Sequence, residues 1–157
     1  MKPGYIGAAL FFIILCEAAG LVGSVFTADS IPTWYAALIK PEFAPPNWLF
    51  APVWTTLYAL MGLAVFFVWE RRKMKGAYTA LTLFAIQLVL NAAWSPVFFG
   101  LRDIGAALWI IGAMWLAIVF CIGAMRKISV TAAWLMVPYL AWVSFASLLN
   151  YSLFVLN

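Results

Sequence analysis

Tyr5-Ile-Gly-Ala-Ala-Leu-Phe-Phe-Ile-Ile-Leu-Cys-Glu-Ala-Ala-Gly-Leu-Val-Gly-Ser-Val-Phe-Thr-Ala28 carries one charged residue, Glu17, along its whole length. A helix rises about 1.5 Å per residue and a bilayer core is about 30 Å thick, so about 20 apolar residues span it. This stretch is long enough. It is too long for the apolar core of a cleaved signal peptide, and no small-residue cleavage site precedes a soluble domain. Four similar runs follow: Trp48 to Trp69, Ala77 to Gly100, Ile104 to Met125 and Val130 to Leu156. None shows the alternation, over about ten residues, of a barrel strand. Only a helix satisfies its own backbone in lipid. The expected fold class is therefore an all-α integral membrane protein, a bundle of five transmembrane helices forming one domain over residues 1–157.

Composition agrees. Apolar residues make up 68% of the chain and charged residues 9%, against about 25% charged in typical soluble domains. Such a chain cannot cover a water-facing surface. Seven of its nine basic residues fall on one side of a five-span topology: Lys2, Arg71, Arg72, Lys73, Lys75, Arg126 and Lys127. Lys40 and Arg102 fall on the other. The bias predicts a cytoplasmic N-terminus and an external C-terminus. The cluster from Arg71 to Lys75 reads as this topology signal plus contact with anionic headgroups, not as a nucleic-acid site.

Several chemistries lack their parts. There is no histidine, and the two cysteines, Cys16 and Cys121, both lie inside spans. They read as small apolar packing residues, and no metal site is expected. No glycine-rich phosphate loop, Ser-His-Asp set or Cys-His pair can be assembled, so ordinary hydrolase chemistry is not expected.

Polar and aromatic residues inside the spans carry the rest. The long connection from Asp29 to Asn47 is rich in aromatics and proline, with a short helix expected over Trp34 to Ile39, stopped by Pro41. It either folds back as a lid on the bundle or forms an interfacial aromatic belt. Trp54, Tyr58 and Met61 or Gly62 recur at helical spacing in the second span. Gln87, Asn91, Trp94 or Ser95, and Phe98 form one stripe in the third. Amides at membrane depth are costly unless paired, so this stripe faces protein or a cavity, as structural glue or as ligand contact. Trp142, Ala146 and Leu149 or Asn150 lie one below another in the fifth. Pro96 and Pro138 are expected to kink their helices and make room for a pocket. Small residues Ala19 and Gly23 in the first span allow close helix approach. Gly105, Ala106, Gly112, Ala113 and Ala117 in the fourth span read as a close-packing seam within the bundle, with a dimer surface as the other reading. Glu17, an acid at membrane depth without a visible basic partner, is a functional-site candidate; snorkelling or a protonated form near a cavity is the bland alternative.

These motifs resemble the TspO/translocator family. Trp34-Tyr-Ala-Ala-Leu-Ile-Lys-Pro41 with Pro45-Pro-Asn-Trp48 looks like the family's first loop. Ala51-Pro-Val-Trp-Thr-Thr-Leu-Tyr-Ala-Leu-Met-Gly62 looks like its second helix. Gln87-Leu-Val-Leu-Asn-Ala-Ala-Trp-Ser-Pro-Val-Phe-Phe-Gly100 looks like its third, and Pro138-Tyr-Leu-Ala-Trp-Val-Ser-Phe-Ala-Ser-Leu-Leu-Asn-Tyr151 its fifth. The resemblance implies a homodimeric five-helix bundle whose long first loop caps a pocket. It also implies binding of porphyrins such as protoporphyrin IX and haem and of other hydrophobic small molecules, with transport, stress signalling or light-driven porphyrin breakdown as the associated activities. No cofactor is required; the porphyrin is ligand or substrate. Carried over, the ligand-binding residues are Gly23, Tyr35, Trp54, Tyr58, Asn91, Trp94, Phe98, Trp142 and Ala146. Trp54 and Trp142 are the reacting residues if the photochemical reading holds. Trp69, Trp109 and Trp134 are expected only to pack and anchor. Two departures stand out. No Lys or Arg follows Tyr151, which speaks against sterol recognition, and Glu17 occupies a position expected to be small or apolar. A transporter working by alternating access ranks lowest, because no inverted repeat is visible.

Overall fold

The computed structural model of the chain describes residues 3–157. Its helices are α1 (Pro3–Thr27), the short α2 (Trp34–Ala37), α3 (Phe50–Glu70), α4 (Ala77–Ser95), α5 (Ile104–Arg126) and α6 (Val130–Leu156), with no strand among the described residues. Five segments are long and apolar enough to cross a membrane: Tyr5–Thr27, Asn47–Glu70, Ala77–Gly100, Ile104–Arg126 and Val130–Leu156. Each matches its sequence-derived span to within one residue at either end. The chain is an integral, multi-pass membrane protein. Lys2, part of the charge-bias reading, lies outside the described residues.

The long helices form a closed ring. α1 lies between α3 and α4, α4 packs on α5, α5 on α6, and α6 on α3. The turns that set this order are short and chemically marked. Asp103 caps α5, its side chain accepting from the Ala106 N–H at 2.8 Å, and Ser129 caps α6 by accepting from the Ala132 N–H at 3.3 Å. Both satisfy N–H groups that a helix start leaves without partners.

Lipid is as apolar as leucine, so the helices are held by close packing and buried polar pairs rather than by hydrophobic burial alone. The half of the ring away from segment 28–46 packs solidly. Cys16, Met61, Ala64, Val68, Ala77, Ala80, Cys121, Met125, Ala132 and Met136 are wholly buried there. Small and pliable side chains let the backbones approach. At Gly62 a Cβ would sit 2.5 Å from the Ile13 Cα, so α3 touches the backbone of α1 there.

Three expectations change. The small residues of the fourth span do not form one seam: Ala117 is buried and Gly105 lies against the Phe154 ring, but Gly112 and Ala113 face outward. A face of alternating small and large apolar residues is compatible with lipid or protein, so spacing alone did not separate them. Gly23 makes its close approach to Ser95 on α4, and Gly20 and Gly62 bring α1 and α3 together as well. Pro96 does not simply kink its helix. Residues Pro96–Gly100 form a π-turn, with the Leu101 N–H bonded to the Pro96 carbonyl at 2.9 Å. The extra residue per turn rotates Phe98 and Phe99 so that both are buried. Pro138 lies within an unbroken α6.

Candidate functional site

Above Gly62 the first two spans part. Gly20 makes room for the ring of Tyr58, which a methyl at Gly20 would overlap. The Tyr58 hydroxyl donates to Asn91 Oδ1 at 2.6 Å, Asn91 Nδ2 donates to the Tyr139 hydroxyl at 3.0 Å, and that hydroxyl donates to Met114 Sδ at 3.4 Å. This chain links α3, α4, α6 and α5 across the bundle. It is a floor, built of polar groups that satisfy one another.

On this floor stands a cavity of about 310 Å³, at the lower end of the range for small-molecule sites. Aromatic side chains from α3, from α4 with the turn that follows it, and from α6 dominate it. Trp54 stacks on Tyr58 with centroids 5.5 Å apart, and Trp94 stacks on Phe98 at 4.8 Å. Trp142 meets Phe50 edge-on at 5.9 Å. The α1 wall presents Glu17, Gly20, Leu21, Ser24 and Thr27, residues three or four apart and hence on one helix face. Leu21 is 66% exposed although it lines the cavity, and Ser24, Ala51 and Thr55 are exposed too. The cavity therefore opens sideways between α1 and α3.

Segment 28–46 lies over the far end. Tyr35 and Trp34 pack on the rings of Phe98 and Phe99, and Ile31 and Tyr35 line the cavity. The Ser30 hydroxyl donates to the Phe99 carbonyl at 3.1 Å, one of the groups a helix end leaves free. Asn157 grips the backbone of Ile39 from both sides, accepting its N–H at 3.0 Å and donating to its carbonyl at 3.1 Å. The short helix ends at Ala37, two residues earlier than Ile39. Lys40 Nζ then donates to the Ala36 and Leu38 carbonyls and sits 4.8 Å from the Tyr35 ring centroid. Burial pushes the Tyr35 phenol above its ordinary pKa.

All nine residues carried over from the family motifs, Gly23, Tyr35, Trp54, Tyr58, Asn91, Trp94, Phe98, Trp142 and Ala146, line this one cavity. Their polar atoms are not equally free. Both ends of the Asn91 amide are taken by tyrosines, which makes it a brace for the floor. Trp94 Nε1 donates to Asn150 Oδ1 at 3.1 Å, and Asn150 Nδ2 donates to the Ile104 carbonyl at 3.0 Å. Trp142 Nε1 is buried without a partner among the described residues. Gln87, one turn below Asn91 on the same stripe, is wholly buried, does not line the cavity, and has neither amide atom paired. Trp109 is 84% exposed and Trp134 69%, away from the cavity, while Trp69 packs on Phe12 and carries Arg72 at 4.2 Å. Sequence reading did not find Phe50, Phe99 or Met114. Phe99 becomes legible only once the π-turn is known, and the other two sit among apolar residues with no distinguishing pattern.

The comparisons with known proteins point the same way. The TspO/MBR family model matches residues 12–156. The chain is 44% identical to the tryptophan-rich protein TspO of Chlorobaculum tepidum, covering 91% of each chain. It is 40% identical to the translocator protein of Bos taurus, over 96% of this chain and 90% of that one. It is 37% identical to the tryptophan-rich sensory protein of Cereibacter sphaeroides, over 94% and 90%. A family match over nearly the whole chain, joined to these relatives, leads to one conclusion: the chain belongs to the TspO/MBR family.

Proposed function

We propose that the protein is a membrane-embedded binding and sensory protein for flat, largely apolar ligands, with porphyrins such as protoporphyrin IX and haem as the ligand class. The observation that carries this reading is the cavity itself: Trp54, Tyr58, Trp94, Phe98 and Trp142 offer ring faces from three helices around one space. Conjugated ligands prefer such walls, with few polar anchors to orient them. Segment 28–46 acts as the cap, and the sideways opening between α1 and α3 leaves room for a ligand larger than the enclosed volume. The relatives' names, sensory and translocator, fit signalling or movement of the bound ligand. A homodimer with a cytoplasmic N-terminus is the arrangement proposed for the membrane.

The test is a titration of the detergent-solubilised protein with protoporphyrin IX in the dark, following quenching of tryptophan fluorescence. Saturation at one ligand per chain, weakened in Trp142→Phe, is the expected result. Linear quenching that the substitution leaves alone means partitioning into micelles and ends the porphyrin reading. A second reading has its own support: Trp54 and Trp142 line the same cavity, so both indoles are available to a ligand bound there. Light-dependent porphyrin breakdown then requires those indoles. Loss of the Soret band under illumination, at an equal rate in wild type and the Trp54→Phe/Trp142→Phe double variant, would reject it.

A further inference from the structure

We propose that Glu17 makes the α1 wall of the cavity a recognition point for a protonated nitrogen carried by a flat apolar ligand. The inference rests on the cavity being the ligand site and specifies which ligands it prefers.

Position comes first. Glu17 lies 12 residues in from Tyr5 and 10 from Thr27 within the first span. That is roughly 18 Å and 15 Å along the helix axis, close to mid-depth. Every other charged residue of the five described spans sits at a span end, as Glu70 and Arg126 do. A long side chain reaches an interface only from within a turn or two of it. Glu17 is too deep for that and lines the cavity instead.

Pairing comes second. The one ion pair among the described residues joins Arg71 and Glu70 at 3.7 Å, far along the chain from Glu17. No described hydrogen bond reaches the Glu17 carboxyl, and no Lys or Arg lines the cavity. The chain carries a formal charge of +4, yet the only formally charged group at its cavity is an acid. A carboxylate at membrane depth is costly without a partner. The ligand is the component that can supply one.

The surroundings select the partner's chemistry. One turn toward the cap, the Tyr58 ring fills the space over Gly20, which brings an aromatic side chain of α3 against the α1 wall. Tyr58 and Trp54 stand opposite on α3 with stacked rings. Aromatic faces attract cations through their quadrupoles, and a carboxylate among them completes a cation-binding pocket. A charge-assisted N–H to carboxylate bond is roughly twice as strong as a neutral one. An anionic substituent is repelled at the same place. A tetrapyrrole that enters this cavity accordingly keeps its propionates away from the α1 wall.

The experiment compares two flat three-ring probes of similar shape, 9-aminoacridine, a cation at neutral pH, and anthracene, which is neutral. Each is titrated into the full chain in a neutral detergent, reading energy transfer from tryptophan. Wild type, Glu17→Gln, Glu17→Asp and the cavity-filling Ala146→Phe are compared. The expected result is that Glu17→Gln weakens 9-aminoacridine at least tenfold (about 1.4 kcal/mol) and leaves anthracene unchanged, while Glu17→Asp retains most of the preference. Anthracene binding reports that the Gln variant is folded. Equal loss of both probes in Glu17→Gln makes the residue structural and overturns the inference. An unchanged 9-aminoacridine affinity in Glu17→Gln, with both probes lost in Ala146→Phe, overturns it while the cavity reading stands. If Ala146→Phe blocks neither probe, the cavity reading fails and this inference fails with it.

Discussion

The two halves of the bundle use the same five helices to opposite ends. Away from segment 28–46, the inward positions are Cys16 on α1, Met61, Ala64 and Val68 on α3, Ala77 and Ala80 on α4, Cys121 and Met125 on α5, and Ala132 and Met136 on α6. Small residues bring the backbones together and Met fills what is left. Toward segment 28–46 the inward positions become Gly20 and Gly23, then Trp54, Trp94, Phe98 and Trp142. Rigid rings hold the helices apart, and glycines on α1 deny them a fourth wall of side chains. The boundary is the row Tyr58–Asn91–Tyr139. A membrane bundle thus acquires a cavity by the placement of side-chain volume rather than by any change in helix content.

Substitutions can break or sharpen this contrast. The largest effect is expected in the closed half. Gly62→Leu must push α3 off the Ile13 backbone, and overpacking of this kind costs about 3 kcal/mol. A thermal melt in detergent should show it; an unchanged midpoint would mean the closed half is loosely packed. Gly20→Ala has the next largest effect on ligand affinity. The added methyl displaces the Tyr58 ring at a cost of about 2 kcal/mol, offset by about 1 kcal/mol of helix propensity. Its signature is a small loss of stability with a large loss of ligand affinity, and the reverse pattern would place Gly20 outside the site's architecture.

Asn91→Leu removes two interhelical hydrogen bonds, at about 0.6 kcal/mol each in a membrane. The floor then loosens, and both the melt and the dark porphyrin titration should respond. A melt unaffected by the change would deny the floor its structural part. The smallest effect, and one of opposite sign, belongs to Gln87→Leu. An isosteric apolar group in place of an unpaired buried amide is neutral or stabilising by about 1 kcal/mol. Clear destabilisation would show that Gln87 is paired in the membrane-embedded protein.

The spans were fully legible in the sequence because nothing but membrane helix accounts for five such runs. The nine cavity residues were legible from motifs, not from periodicity. Around each helix, lipid-facing and core-facing positions are both apolar, so the pattern that separates inside from outside in a soluble helix is nearly flat here. Gly112 and Ala113 illustrate the consequence: their spacing suggests a seam, yet they face outward. Gln87 shows another limit. It shares a stripe with Asn91, but the cavity ends at the row Tyr58–Asn91–Tyr139, and where a cavity ends depends on four helices at once. The π-turn at Pro96 was equally hidden. Proline marks a disturbance in the sequence, but not that the helix absorbs it by adding a residue and turning Phe98 and Phe99 inward together.

The account stands or falls on the cavity as the place where ligand binds. Ala146 lines it from α6 with a single methyl, so Ala146→Phe fills the space. Protoporphyrin IX should be titrated in the dark into wild type and Ala146→Phe, with melting temperatures measured alongside. Loss of saturable binding in a variant that melts like wild type is the predicted result. Unchanged affinity in that variant would contradict it and move the ligand elsewhere on the protein.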